Sequence, residues 1–83
     1  MKEKNILPLF ALPLGEKARV RELELDGNLR RRFLDLGLIY DTEVVPLLKS
    51  PAGDPIAYEI RGTVIALRSE EASRIWVEVA GGA

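Results

Sequence analysis

The densest groups of reactive side chains in this sequence are the run Arg30-Arg31-Arg32, the acids Glu22, Glu24 and Asp26, and the pair Glu70-Glu71. Clustered arginines are the chemistry of phosphate binding, and spaced carboxylates that of hard-cation coordination. Neither pattern completes a site. Three consecutive helical residues fan out over about 200° and cannot form one patch. Asp35 also stands at i+4 from Arg31 and i+3 from Arg32, within reach of either as an ion-pair partner. Nucleic-acid binding wants aromatic rings between the charges, and Phe33 is better used in a core. Glu22, Glu24 and Asp26 would line one side of a regular strand, but the hydrophobic phase breaks at Glu22 and spoils that spacing. The acids read as solvated surface, and no metal site is expected.

Catalysis has little to work with. The chain contains no His and no Cys. The usual general base, the commonest transition-metal ligand and the pH switch are therefore missing. A thiol nucleophile, a zinc ribbon and a disulfide framework are missing too. Ser50, Ser69, Ser73, Thr42 and Thr63 lie in no nucleophile-elbow setting. The glycines Gly15, Gly27, Gly37, Gly53 and Gly62 are dispersed as turn punctuation and form no phosphate loop. An enzyme is not expected, nor is a cofactor.

Surface recognition remains. Trp76 alternates with Ile75 and Val77, which puts it on the outer face of a strand. Covering a loop or the Phe10 region is the commoner fate of such a residue, but an exposed Trp is a natural anchor for a partner. Leu38-Ile39-Tyr40 follows a helix, and whichever of the three does not pack inward leaves an apolar patch. The expected partner-binding set is Leu38, Ile39, Tyr40 and Trp76, with Arg31 supplying rim charge.

These side chains need a scaffold, and composition bounds it. The chain has 83 residues, 12 Lys+Arg against 13 Asp+Glu, and 47% hydrophobic residues. That makes one globular domain, 1–83, with a core from about 9 to 79 and modest stability. Ile6 to Leu14 is the most apolar stretch, but Pro8 and Pro13 interrupt it well short of the ~20 residues of a membrane span. A cytoplasmic monomer is expected, with 1–5 frayed and Gly81-Gly82-Ala83 a loose tail.

Lys17 to Leu25 alternates until Val20 and then slips, which predicts a strand with a bulge near Glu22. Asp26-Gly27-Asn28 supplies turn and capping residues. Leu29, Phe33 and Leu36 share one helical face, and Gly37 sits where a left-handed cap would stop the helix. Thr42 to Lys49 reads as a strand that Pro46 confines to an edge or a bulge. Ser50 to Pro55 is a turn cluster. Ile56, Tyr58 and Ile60 alternate, Gly62 turns the chain into Thr63 to Leu67, and Ser69 to Ala72 forms one helical turn. Arg74 to Val79 is the last strand. Short strands joined by Gly and Pro turns favour a small closed or partly open barrel.

In that order, the features from Leu9 to Val79 resemble the ferrous iron transport protein A family, FeoA. Leu9, Leu12 and Gly15 followed by Val20 are similar to the family's opening. Leu29-Arg30-Arg31-Arg32-Phe33-Leu34-Asp35-Leu36-Gly37-Leu38 resembles its arginine-rich helix ending in Leu-Gly, and Thr42-Glu43-Val44 the strand start that follows. Gly53-Asp54-Pro55-Ile56 resembles the central turn. Gly62 with Ile65-Ala66-Leu67-Arg68, then Glu71-Ala72 and Ile75-Trp76-Val77, resembles the closing half. The resemblance implies a mainly β fold. The form is a small SH3-like barrel of about five strands, with a short α-helix after the first strand and one helical turn before the last. It further implies a cytosolic accessory that binds and modulates the membrane ferrous-iron transporter, whose cytosolic end carries a GTP-binding domain. The chain departs from the family at Tyr40-Asp41, where Pro-Gly is common. The alternatives are a stand-alone SH3-like domain of metal-dependent-repressor type and a nucleic-acid-binding barrel acting through Arg30 to Arg32 and Arg61.

Overall fold

The computed structural model describes residues 5–79. Residues 1–4 and the glycine-rich tail lie outside them. Six strands form one antiparallel sheet: β1 (Ile6–Pro8), β2 (Ala18–Leu23), β3 (Glu43–Lys49), β4 (Ile56–Ile60), β5 (Thr63–Leu67) and β6 (Ile75–Val79). Helix α1 (Gly27–Asp35) follows β2, a single turn α2 (Ser69–Ala72) precedes β6, and a 3-10 turn covers Leu9–Ala11. The strand order is β1-β6-β2-β3-β4-β5.

The sequence pattern leads to five strands, and the sixth is β1. It gives no periodic signal because it is three residues long and ends in proline. Pro8 is tolerated there because β1 is an edge, pairing among the described residues with β6 alone. Asn5 is held as well: its carbonyl accepts the Val79 N–H at 3.0 Å.

The core is the inward face of these strands closed by the helices. Val20, Val44, Tyr58, Ile60, Ile75 and Val77 are buried, as are Phe33 from α1 and Leu9 and Leu12 from the N-terminal segment. Each fully buried Leu, Ile or Phe contributes about 1.5–3 kcal/mol against an exposed one, so this layer holds the short strands together.

Two irregularities shape the sheet. The β2–β6 register shifts between Val20 and Glu22, so Arg21 is the extra residue of a bulge. That shift lets Val20 and Leu23 both point inward although they are out of phase. The β3–β4 register shifts between Pro46 and Leu48. Pro46 therefore sits at a bulge of an interior strand, and β3 is not an edge; its missing N–H coincides with the register break, and its carbonyl accepts Gly15 N–H at 2.8 Å.

At the entry to α1 the Asp26 side chain makes no capping hydrogen bond. At its exit Leu36, expected on the core face, is 38% exposed. The chain reverses immediately after it and Leu38 takes the core position.

Candidate functional site

The site is built around the reversal that ends α1. Gly37 has φ of 106°, and its N–H bonds the Leu34 carbonyl at 3.0 Å while the Leu38 N–H bonds the Phe33 carbonyl at 3.1 Å. This pair of bonds is the Schellman arrangement, which sets the residue after the glycine against the residue three from the helix end. Leu38 accordingly packs with Phe33 in the core and is 0% exposed. Its expected place on the contact surface is thereby corrected: the direction of Leu38 is fixed by the backbone reversal. Arg61 lies across the same corner, so a Cβ on Gly37 would stand 2.8 Å from Arg61 Cδ.

Ile39 to Thr42 forms the next turn, closed by Thr42 N–H donating to the Ile39 carbonyl at 3.1 Å. Asp41, its third residue, has φ of 73°, the conformation a type II turn demands at that position and glycine usually supplies. The turn therefore forms on Tyr40-Asp41 in place of Pro-Gly. It leaves Ile39 and Tyr40 in solvent, Tyr40 at 69% exposure.

Asp41 is locked to β2. Its N–H donates to the Val20 carbonyl at 2.7 Å, and its own carbonyl accepts Arg19 Nη1 at 2.9 Å. Arg21, aimed outward by the bulge, donates from Nε to Glu78 Oε1 at 2.7 Å and from Nη1 to Asp41 Oδ1 at 2.8 Å. The guanidinium carbon also lies 5.0 Å from the centre of the Tyr40 ring. The hydrogen bond from Arg21 holds the Asp41 carboxyl below the usual carboxylate range, with Arg19 adding to it and desolvation opposing. The same carboxylates, Asp41 first and then Glu78, make the Arg21 guanidinium still harder to deprotonate. Arg21 is the residue at the centre of this candidate site that the sequence reading missed. The signal that could have found it is the phase slip after Val20, since bulges re-aim side chains.

The three consecutive arginines diverge. Arg30 Nη1 donates to the Leu23 carbonyl at 3.0 Å. Arg32 pairs with Glu71 of α2 at 3.7 Å, taking the partner that Asp35 was expected to be. Arg31 is exposed and takes part in none of the ion pairs among the described residues. Between β2 and α1 runs an open groove of about 230 Å3, lined among others by Arg21, Glu22, Arg30, Leu34 and Tyr40.

Trp76 is half-buried, between Pro8 of β1 and Glu22 of β2 in register. Its indole N–H is buried and has no hydrogen-bond partner among the described residues. Alternation puts this ring on the outer strand face and leaves open whether it is covered or exposed; the structure places it there, partly covered at the β1–β6–β2 end of the sheet. Trp76 shares its strand face with Glu78, which links it through Arg21 to Tyr40. Of the expected set, the structure brings Ile39 and Tyr40 together, leaves Arg31 on α1, and withdraws Leu38. Among the described residues no three carboxylates converge as metal ligands.

A small six-stranded antiparallel sheet curled over one core, with a short helix after its second strand, is an SH3-like fold. The chain belongs to the FeoA family: the FeoA domain matches residues 7–79. The family is associated with ferrous iron transport. Over 71 residues the chain is 31% identical to the Fe(2+) transport protein A/Fe(2+) transporter FeoB fusion protein of Porphyromonas gingivalis, covering 86% of this chain. It spans only 8% of the length of that curated relative. The solution structure of iron(II) transport protein A from Clostridium thermocellum is 37% identical, with a TM-score of 0.87 over 92% of this chain and 47% of that one. The zinc-complexed FeoA of Stenotrophomonas maltophilia, described as a procaryotic SH3 domain protein, is 32% identical with a TM-score of 0.71, covering 92% and 89%. Among the described residues no helix is long and apolar enough to cross a membrane.

Proposed function

We propose that this chain is a cytosolic regulatory component of bacterial ferrous iron uptake that acts by contact with the membrane ferrous-iron transporter, neither carrying the metal nor catalysing a reaction. One observation carries the reading: a segment 31% identical to this chain occurs in one polypeptide with FeoB in Porphyromonas gingivalis. Tethering raises the effective concentration of a weak contact to the millimolar range.

The surface that fits is the turn and groove beside α1. Tyr40 is a large aromatic ring in solvent, Ile39 adds apolar area beside it, and Arg31 and Arg30 supply charge at the rim. Aromatic and arginine side chains dominate binding energy at such interfaces. Because Arg21 and Asp41 hold the turn, Tyr40 is presented with little ordering left to do on binding.

The test is calorimetry of this chain against the cognate full-length transporter in detergent, with and without a GTP analogue. Saturable binding that Tyr40→Ala weakens about tenfold or more supports both the partner and the face. Saturable binding indifferent to Tyr40→Ala and Arg31→Ala keeps the partner and discards the face. No binding up to high micromolar concentration in either nucleotide state discards the partner.

A further inference from the structure

The pairing of β3 with β2 covers Ala18 and Arg19, and beyond them this edge of β2 loses its strand neighbour. The 39–42 turn takes over at Val20, whose N–H donates to the Thr42 carbonyl at 2.9 Å while its carbonyl accepts the Asp41 N–H at 2.7 Å. Past the bulge the same edge comes out again at Leu23. Two hydrogen bonds fix its direction there. The Glu24 N–H donates to the Arg74 carbonyl at 2.8 Å on one side, and the Leu23 carbonyl accepts Arg30 Nη1 at 3.0 Å on the other. The N–H and C=O of one residue in an antiparallel strand point the same way, so the Leu23 N–H also faces α1. It meets no acceptor among the described residues.

Arg30 is thereby pinned beside a second donor. Of its five N–H groups one serves the Leu23 carbonyl, and it takes part in none of the ion pairs among the described residues. A main-chain N–H and a guanidinium side by side, with donors to spare, suit an anion with two oxygens. Both belong to the groove of about 230 Å3 between β2 and α1, where Val20 and Leu34 supply apolar wall. Small-molecule sites run to roughly 300–1,000 Å3, so this groove suits one side chain. Two more charges line it. Arg21 is already engaged by Asp41 and Glu78, and Glu22 is exposed and alternates with Leu23 along β2.

We propose that the Leu23 N–H and the Arg30 guanidinium bind one carboxylate, supplied by an Asp or Glu side chain on the cytosolic part of the transporter that lies against Tyr40. One oxygen accepts from Leu23 and the other from Arg30. The source of the carboxylate rests on the proposed contact with the transporter, and the site itself does not. Apolar walls strengthen the charge-assisted bonds. Because Leu23 and Arg30 already hold each other, binding orders little. This separates two neighbouring arginines: Arg31 offers charge at the rim, whereas Arg30 recognises a planar group.

The test follows main-chain amide shifts of the full chain on addition of N-acetylglutamate α-amide, which carries one carboxylate. N-acetylglutamine α-amide at equal ionic strength is the uncharged control. The Leu23 amide is expected to shift saturably with the first and not with the second. Arg30→Gln is expected to weaken this binding about tenfold or more. Glu22→Gln, which removes the acid in the lining, is expected to tighten it about twofold. Unchanged near-ultraviolet circular dichroism shows that both variants fold. No saturable shift at Leu23, equal shifts with both probes, or binding indifferent to Arg30→Gln overturns the site. Titration against the full-length transporter then separates the sources. A loss of about tenfold or more with Arg30→Gln, and a smaller one with Arg31→Gln, assigns the carboxylate to the transporter. A chain that binds the probe while its transporter affinity ignores Arg30→Gln overturns that source and leaves a free small carboxylate as the ligand. A transporter that does not bind at all overturns the proposed function and leaves the probe result standing.

Discussion

The Asp54 carboxylate takes both polar groups of Ser69: Oδ1 accepts the main-chain N–H at 2.9 Å and Oδ2 the hydroxyl at 2.8 Å. These residues lie 15 apart in sequence, and together they tie the β3–β4 turn to the start of α2. Glu71 completes the end by accepting the Arg68 N–H at 3.1 Å. A four-residue helical turn cannot persist alone, so its orientation depends on such external caps. Asp54→Ala is expected to cost about 1 kcal/mol in urea denaturation, and Asp54→Asn less, because an amide oxygen still accepts one of the two bonds.

Tyr58 lies within the sheet, 0% exposed, and its hydroxyl has no hydrogen-bond partner among the described residues. Burial pushes its phenol up to about 12, and the charge of Asp54 adds to the shift. A pKa raised in the folded state gives stability that is whole below the unfolded value near 10. That stability is lost as pH rises towards the folded value. Thermal unfolding followed from pH 9 to pH 12 is therefore expected to show a loss in the native chain that Tyr58→Phe lacks. At neutral pH Tyr58→Phe is expected to be neutral or stabilising by about 1 kcal/mol, since it removes an unpaired buried hydroxyl.

Gly37 and Arg61 meet at the α1 corner, and the contact predicts non-additive energetics. Gly37→Ala places a side chain at φ of 106° and drives a Cβ to 2.8 Å from Arg61 Cδ. The backbone strain alone costs about 1–2 kcal/mol. Arg61→Ala removes the steric part and leaves the strain. In a double-mutant cycle by urea denaturation, Gly37→Ala is expected to be milder in the Arg61→Ala background by at least about 0.5 kcal/mol.

The acid limb of stability should report the Asp41 turn. Its carboxyl is held below the usual range by Arg21, so the contribution is whole above the unfolded value near 3.9 and vanishes as pH falls through the lower folded value. Asp41→Asn keeps a residue that tolerates positive φ and removes only the charge. The stability gap between the native chain and this variant, measured by thermal unfolding, is expected to be open at pH 7 and to close below about pH 4.

Much of the fold was legible because alternation and phase are local. Ile56-Tyr58-Ile60 and Ile75-Val77-Val79 face inward as their spacing demands, and the slip after Val20 marked the bulge that is present. The site was less legible. Arg21 meets Glu78, 57 residues away, and Asp41, 20 away, and no periodicity encodes which exposed arginine finds which acid. Leu38 followed from a backbone reversal and not from helical spacing. Trp76 sits on the outer strand face that alternation assigns, yet β1, too short to read, flanks it there.

Leu38 and Tyr40 are two residues apart and answer opposite questions, which makes them a decisive pair. Tyr40 is solvent-exposed and touches the Arg21 guanidinium at the surface, so Tyr40→Ala is expected to change stability by no more than about 1 kcal/mol. Leu38 is packed against Phe33 in the core, and Leu38→Ala is expected to cost about 2–5 kcal/mol, enough to unfold much of a chain this small. Loss of transporter binding in Leu38→Ala therefore measures folding, whereas loss in a fully folded Tyr40→Ala measures the surface. Chemical denaturation of both variants beside the calorimetric titration separates the two. A Leu38→Ala variant as stable as the native chain would return Leu38 to the surface and overturn the packing of the α1 corner.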